Sequence, residues 1–319
     1  MKNLILLFVC TFLIFSCKKE EEPVLPGSPE EEVNDSSTIV EVDIFSGYPK
    51  QAFFSLNTFT EVQRNSKDDW DLGARFVNGE PHIFMNYARY MLAGPSSSDF
   101  QNTTSETGID LQWDKPEGRI EDFRIGSTLN TTYVIDMGYD ENKEALGFMK
   151  MQLIKEGDKY KVKSAKLDNS QENVVTISPV ADKEFVTISL DGSPKSEVYP
   201  KDDEWDLLIT NYTTQFDPQT PYLVSGVLIN HPQIQVAFDS TYTFGDLNIN
   251  DVDGMSFSSD ADKIGFDWKE YFFDAGYYVV NTELNYIIRR ENNYYKLRFL
   301  DFYNEVGETG NFKFEIQKL

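Results

Sequence analysis

The chain has 319 residues, a net charge of −24, two cysteines and two histidines. That length is ample for a self-supporting core, and the acidity argues against nucleic acid or an anionic lipid surface as a partner. Two histidines exclude most histidine-based enzymes and zinc sites built on several imidazoles.

In chain order, "MKNLILLFVCTFLIFSC" places one cation, Lys2, before an apolar run that ends at Ser16 and Cys17. A basic residue, a short apolar run and a small residue make a secretory signal, and this run is too short for a comfortable transmembrane helix. The cysteine after the small residue resembles a bacterial lipobox, which makes residues 1–16 the lipoprotein signal peptide and Cys17 the lipidated first residue. Cys10 leaves with the signal, so no disulfide forms within one mature chain. "KKEEEP" behind Cys17 resembles a surface-export signal of bacterial lipoproteins, with a charged spacer as the alternative. Residues 17–40 are poor in large apolar side chains and read as a disordered tether. The folded domain is expected over residues 41–319.

The body reads as all-β. "AFFSLNTF", "TYVIDMGY", "FVTISL", "YYVVNTEL" and "NYIIRR" are short runs of aromatic and β-branched residues separated by Gly, Asn, Asp and Pro. Hairpin turns are expected at "EGDK", Glu156–Lys159, and "RENN", Arg290–Asn293. A few short helices are all that the periodicity allows.

The body also repeats itself. "DDWDLGARF" from Asp68 matches "DEWDLLITN" from Asp203, and "HIFMNYARYMLA" from His82 matches "GVLINHPQIQVA" from Gly226, pairing Asn86 with Asn230 and Ala93 with Ala237. "YVIDMGY" from Tyr133 matches "YFFDAGY" from Tyr271. "MQLIKEGDKYKV" from Met151 matches "NYIIRRENNYYKL". Two related halves follow, at about 45–170 and 180–319. A spacing of about 135 residues in two copies excludes a propeller, whose blades repeat every 40 to 45 residues at least four times. Trp70 with Asp71, and Trp205 with Asp206, are then structural markers. The tryptophans are expected to face the core at the start of equivalent strands. The aspartates point the other way or accept backbone N–H groups in the adjoining turn.

The blocks "DWDLG" (69–73), "EWDLLITNYT" (204–213), "YLVSGVLIN" (222–230), "IGFDWKEYFF" (264–273) and "YYKLRFLDFYNEVGETGNFKFE" (294–315) resemble the HmuY family of surface lipoproteins over roughly residues 45–319. The resemblance implies an all-β fold and an outer-membrane lipid anchor facing the cell surface, with no other membrane contact. It also implies capture of haem, with delivery to a TonB-dependent outer-membrane receptor in iron acquisition. Haem needs an apolar slot and axial His or Met donors. The candidates are His82, His231, Met85 and Met91. A surface or turn histidine, and strand core for the methionines, are the structural alternatives. The repeat does not pair the histidines with each other. A non-haem interaction or structural lipoprotein that keeps the fold is the alternative function.

"DLNINDVDGM" from Asp246 lacks the Gly and Glu that a calcium loop needs at positions six and twelve, and reads as a turn. Asp68 and Asp69 are adjacent and would point apart on a strand, so they cannot flank one glycosidic bond. No nucleophile with a base, and no phosphate-cradling glycine loop, is present, so no catalytic residue is assigned and the chain reads as a binding protein rather than an enzyme.

Overall fold

The computed structural model describes residues 37–193, 198–217, 220–231 and 233–319. The signal peptide, Cys17 and the tether up to residue 36 lie outside the described residues. Thr38–Val40, expected at the end of the tether, already form strand: β1 (Thr38–Asp43) is a β-branched run that pairs along its full length with the last strand, from Thr38 opposite Ile316 to Asp43 opposite Asn311.

Among the described residues the regular structure is antiparallel strand, with helix confined to three-residue 3-10 turns. One large sheet runs β6 (Leu92–Pro95), β7 (Thr132–Asp136), β8 (Phe148–Glu156), β9 (Lys159–Lys166), β10 (Asn173–Ile177) in spatial order. The other runs β14 (Ile234–Asp239), β17 (Asn285–Arg290), β18 (Asn293–Tyr303), β19 (Thr309–Lys318), β1. A three-stranded sheet holds β4 (Leu72–Val77) between β5 (Glu80–Met85) and β11 (Phe185–Ile188). A four-stranded sheet runs β13 (Thr220–Ile229), β12 (Leu207–Asp217), β2 (Lys50–Ser55), β3 (Thr60–Ser66). A separate hairpin joins β15 (Lys269–Phe272) to β16 (Tyr277–Val280). "EGDK" and "RENN" make the β8–β9 and β17–β18 turns, as the sequence predicts.

The same bonds occur twice. Asp71 N–H donates to the Ile188 carbonyl and the Asp71 carboxylate accepts Leu190 N–H at 2.8 Å. Asp206 N–H donates to the Phe54 carbonyl and its carboxylate accepts Leu56 N–H at 2.6 Å. Asn86 Nδ2 donates to the Lys67 and Trp70 carbonyls; Asn230 Nδ2 donates to those of Asp202 and Trp205. Ile83 bridges Gly126 as Val227 bridges Gly265. Hence β11 stands to β4 as β2 stands to β12. The N-terminal strands β1 to β3 serve the C-terminal lobe, so the sheets do not follow the cut between the two sequence halves.

Two of the matched blocks part company here. Tyr133 lies in β7, inside the first large sheet, whereas Tyr271 lies in the separate hairpin. By sheet position β8 answers β18, not β17. The buried ammonium groups agree with this. Lys150 on β8 donates to the Thr103 carbonyl over the Phe100 ring, and Lys296 on β18 donates to the Phe244 and Leu247 carbonyls over the Phe244 ring. Ala93 bridges Gln112 while Val236 bridges Ser258, so the pairing of Ala93 with Ala237 slips by one residue. Strands with period-two alternation look alike in sequence, and only hydrogen-bonded neighbours fix which matches which.

Each lobe has its own core. Leu72, Ile83, Ile135, Met151 and Val162 belong to the first; Phe54, Ile209, Trp268, Phe299 and Phe314 belong to the second. In the second, Trp268 stacks on Phe299 with centroids 3.9 Å apart. A third layer lies between them: Phe53, Trp70, Phe84, Tyr199, Trp205, Leu208 and Tyr212. Alternation on β12 sends Leu207 and Ile209 to the second core and Leu208 and Tyr212 to the middle layer. Gly73 is required beneath Phe84, whose ring would lie 2.0 Å from any Cβ there.

The buried aspartates each face a guanidinium: Arg89 Nη1 is 2.7 Å from Asp71 and Arg290 Nη1 is 3.0 Å from Asp206. Removing one partner leaves an uncompensated buried charge, so Arg290→Ala should destabilise by about 3–5 kcal/mol in chemical denaturation; a loss below about 1 kcal/mol would refute the pairing. Burial pushes the Asp206 carboxyl from 3.8 up to about 6, against the Leu56 N–H and Arg290. The folded state therefore holds this proton more tightly than the unfolded chain. Stability from this group is full below about pH 4, falls as pH rises to about 6, and then levels. Asp206→Asn should remove that slope, on the order of 3 kcal/mol, relative to the unaltered protein; an unchanged slope would show that Asp206 is not its source. A chain that starts at Lys67 lacks β1 to β3 and should lose cooperative melting of the C-terminal lobe; an unshifted transition would contradict the strand assignment.

Candidate functional site

The middle layer does not close fully. Between the two small sheets lies an apolar cavity of about 70 Å³. Phe84 and Met85 at the end of β5, Phe185 on β11, and Leu208 and Tyr212 on β12 line it. Tyr199 and Trp205 close one wall, and the hydroxyls of Tyr87 and Tyr199 hydrogen-bond to each other there. Burial raises both phenols, so both stay protonated. Trp205 Nε1 is buried with no hydrogen-bond partner among the described residues.

Two straps cross the cavity. One spans about 113–126 and the other about 258–266; they carry the Gly126 and Gly265 bridges that end the matched lobes' small sheets. Both glycines sit at positive φ, 59° and 63°, where a side chain would be strained. The straps meet each other: Ala261 N–H donates to the Glu117 carbonyl at 2.9 Å, Arg119 pairs with Asp260, and a Cβ at Gly118 would stand 3.0 Å from that of Ala261. Asp114 anchors the first strap by accepting Met85 N–H and Arg124 N–H, each at 2.5 Å. Burial nevertheless raises its carboxyl to about 7. Asp262 is raised to about 6, first by burial and then by Glu117 and Asp260.

The four candidate donors separate. His231 lines the cavity; Met85 borders it at the end of β5, but its side chain belongs to the first core, because alternation sends Phe84 to the middle layer. Met91 is buried in the first core beside Ala93 and Ile135, away from the cavity. His82 is half-buried on β5, directly across the strand pair from Arg75, and is not part of the cavity wall. His231 Nδ1 lies against the Ser259 carbonyl. A carbonyl only accepts, so Nδ1 carries the proton and Nε2 keeps its lone pair. Burial lowers the His231 pKa below 6.5, leaving the ring neutral at pH 7. A neutral imidazole with one nitrogen held by a carbonyl is the usual state of a metal-ligating histidine.

His231 also lines a second, more open space of about 320 Å³ beside Arg75, Val77, Arg119, Ile120 and Glu121. Neither arginine stands out in the sequence, because their convergence depends on a strap folding back over β4. Trp205 does stand out, as a repeat marker, and the fold makes it a cavity wall as well.

Trp70 and Trp205 are buried in the middle layer, each with its ring centroid 6.0 Å from that of Tyr199. The preceding acids are turn residues: Asp69 caps the 3-10 turn by accepting Ser66 N–H, and Asp203 and Glu204 are exposed. Asn248 and Asp251 cap a 3-10 turn in "DLNIND", the turn expected there. No group of three or more metal-ligating side chains occurs among the described residues.

Haem chemistry can be tested against these walls. Among the four candidates the neutral His231 imidazole fits the aromatic space, whereas the Met85 thioether packs in the first core on the other face of β5 from Phe84. The enclosed volume is smaller than the roughly 300–1,000 Å³ of ordinary ligand pockets, so a macrocycle enters only if the straps part.

The chain is similar to several solved structures. Apo PinO from Porphyromonas gingivitis shares 9% identity, with 90% of this chain and 98% of that one covered and a TM-score of 0.33. An apo HmuY analog of Tannerella forsythia shares 11%, covering 90% and 99%, with a TM-score of 0.24. A Bacteroides fragilis protein described as a lipoprotein shares 9%, covering 88% and 90%, with a TM-score of 0.25. No curated protein matches. The family model for the HmuY protein matches residues 47–316, and by that match over most of its length the chain belongs to the HmuY family.

Proposed function

We propose that this protein is a lipid-anchored, cell-surface haem-binding component of haem and iron acquisition. Cys17 carries the lipid that holds it at the outer membrane, and a TonB-dependent receptor takes the haem onward. The observation that supports the reading best is His231: neutral, held through Nδ1 by the Ser259 carbonyl, and placed on the wall of an aromatic cavity. His231 would hold the haem iron through Nε2; Met85 borders the same cavity, but its side chain packs in the first core and would have to leave it to donate. Bound haem would supply an iron centre to be carried, without chemistry on the protein. Phe84, Phe185 and Trp205 would cover the macrocycle and exclude water. His82 and Met91 are the weaker candidates, because one lies outside the cavity wall and the other fills the first core.

The small cavity favours a second reading, in which the fold is kept for surface interactions without haem.

Haemin titrated into the mature chain carrying Cys17→Ser separates the two. A saturable red shift of the Soret band is expected, with His231→Ala weakening binding at least about tenfold, equivalent to about 1.4 kcal/mol. No saturable shift in either iron oxidation state would overturn the haem reading. A spectrum unmoved by His231→Ala would refute the ligand while leaving the function.

A further inference from the structure

The cavity is apolar, but the space that adjoins it is not. On a chain of net charge −24, Arg75, Arg119 and His231 converge on one groove, and His231 also belongs to the cavity. Val77 and Ile120 supply apolar wall, and Glu121 is the acid that lines it. Arg75 is fixed by register, opposite Phe185 on one side and His82 on the other, so its guanidinium stands on the sheet face that carries the cavity's Phe185. Both guanidiniums lie near enough to His231 to help depress its pKa after burial.

We infer that this groove receives the carboxylate of an amphiphilic ligand whose apolar body occupies the aromatic cavity. The inference deepens the cavity reading above and rests on it. Each arginine already has a carboxylate, Glu184 for Arg75 at 2.5 Å and Asp260 for Arg119. A guanidinium has five N–H donors, so one partner does not exhaust it. The Arg119–Asp260 pair is substantially exposed, at 46% and 30% for the two side chains. Exposed pairs of this kind contribute about 0–1 kcal/mol, so an incoming carboxylate can take Arg119 from Asp260. That exchange also loosens the contact between the straps, which the ligand's body must pass. Arg75, at 12% side-chain exposure, stays with Glu184 and offers the incoming carboxylate its remaining N–H donors rather than net charge. The ligand class is an apolar body bearing at least one carboxylate. Porphyrins with propionates and long-chain fatty acids fall within it, and neutral apolar molecules do not.

The test compares acids with their esters on the mature chain carrying Cys17→Ser. Haemin should bind about tenfold or more tightly than haemin dimethyl ester, because charge-assisted contacts to arginine are lost in the ester. Arg119→Gln should shrink that ratio to about threefold and flatten the salt dependence of haemin binding; the ratio is the readout, because loosening the straps affects acid and ester alike. Arg119 is exposed, so this substitution does not threaten the fold. Equal affinity for haemin and its ester would overturn the carboxylate site and leave the haem reading intact. If neither porphyrin binds, the haem reading fails, and palmitate against methyl palmitate, followed by tryptophan fluorescence, decides the carboxylate site. Preference for palmitate, diminished by Arg119→Gln, supports it; no preference in either pair overturns it.

Discussion

A buried carboxylate must find its hydrogen bonds inside the protein, and Asp71 and Asp206 each find them in a strand distant in sequence. Each aspartate ties the start of a central strand to the backbone of its neighbour, Leu190 in one lobe and Leu56 in the other, and then takes a guanidinium. Desolvating such a group is costly unless the geometry is satisfied, which makes alternative pairings expensive. Once these two anchors are set, the tryptophan before each aspartate has only the middle layer to enter. Trp70 and Trp205 converge on Tyr199, and the lobes share a third core. The cavity is a gap in that layer, and the straps that close it spring from the matched Gly126 and Gly265 bridges.

The arrangement puts polar and apolar recognition side by side without a dedicated binding domain. The aromatic wall belongs to the packing between lobes. The polar groove belongs to β4 and to one strap. His231 sits at the end of β13 where the two meet, its ring oriented by the other strap through Ser259. Opening the straps would therefore change the cavity's size and the orientation of its histidine together.

Much of this was legible in the sequence where a residue type has a narrow range of uses. The repeated Trp-Asp pair announced matched strand starts, and paired Asn86 and Asn230 proved to make the same bonds. "EGDK" and "RENN" marked hairpins because tight turns demand particular residues. Legibility failed where many strands share one pattern. "YVIDMGY" and "YFFDAGY" alternate alike, yet one is interior to a sheet and the other an isolated hairpin. Met85 and Met91 are six positions apart in one segment, and on either side of the turn at Tyr87–Arg89 both side chains enter the first core, although Met85 also borders the cavity. Arg75 and Arg119 carried no signal at all, since nothing local distinguishes a surface arginine from one that faces a groove.

The pairing of β1 with β19 has a consequence for how the molecule comes into being. The second large sheet cannot be completed until Thr309–Lys318 have been made, because its outermost strand, β1, is the first of the described strands and pairs with β19. Contacts between the two ends of a chain carry a high loop-closure cost and form late. The N-terminal lobe, β4 to β11, has all its partners within one continuous stretch and can assemble earlier. The domain thus stays partly unfinished throughout its synthesis, and its two termini leave from neighbouring strands of one sheet, so that whatever holds the N terminus also holds the C-terminal edge.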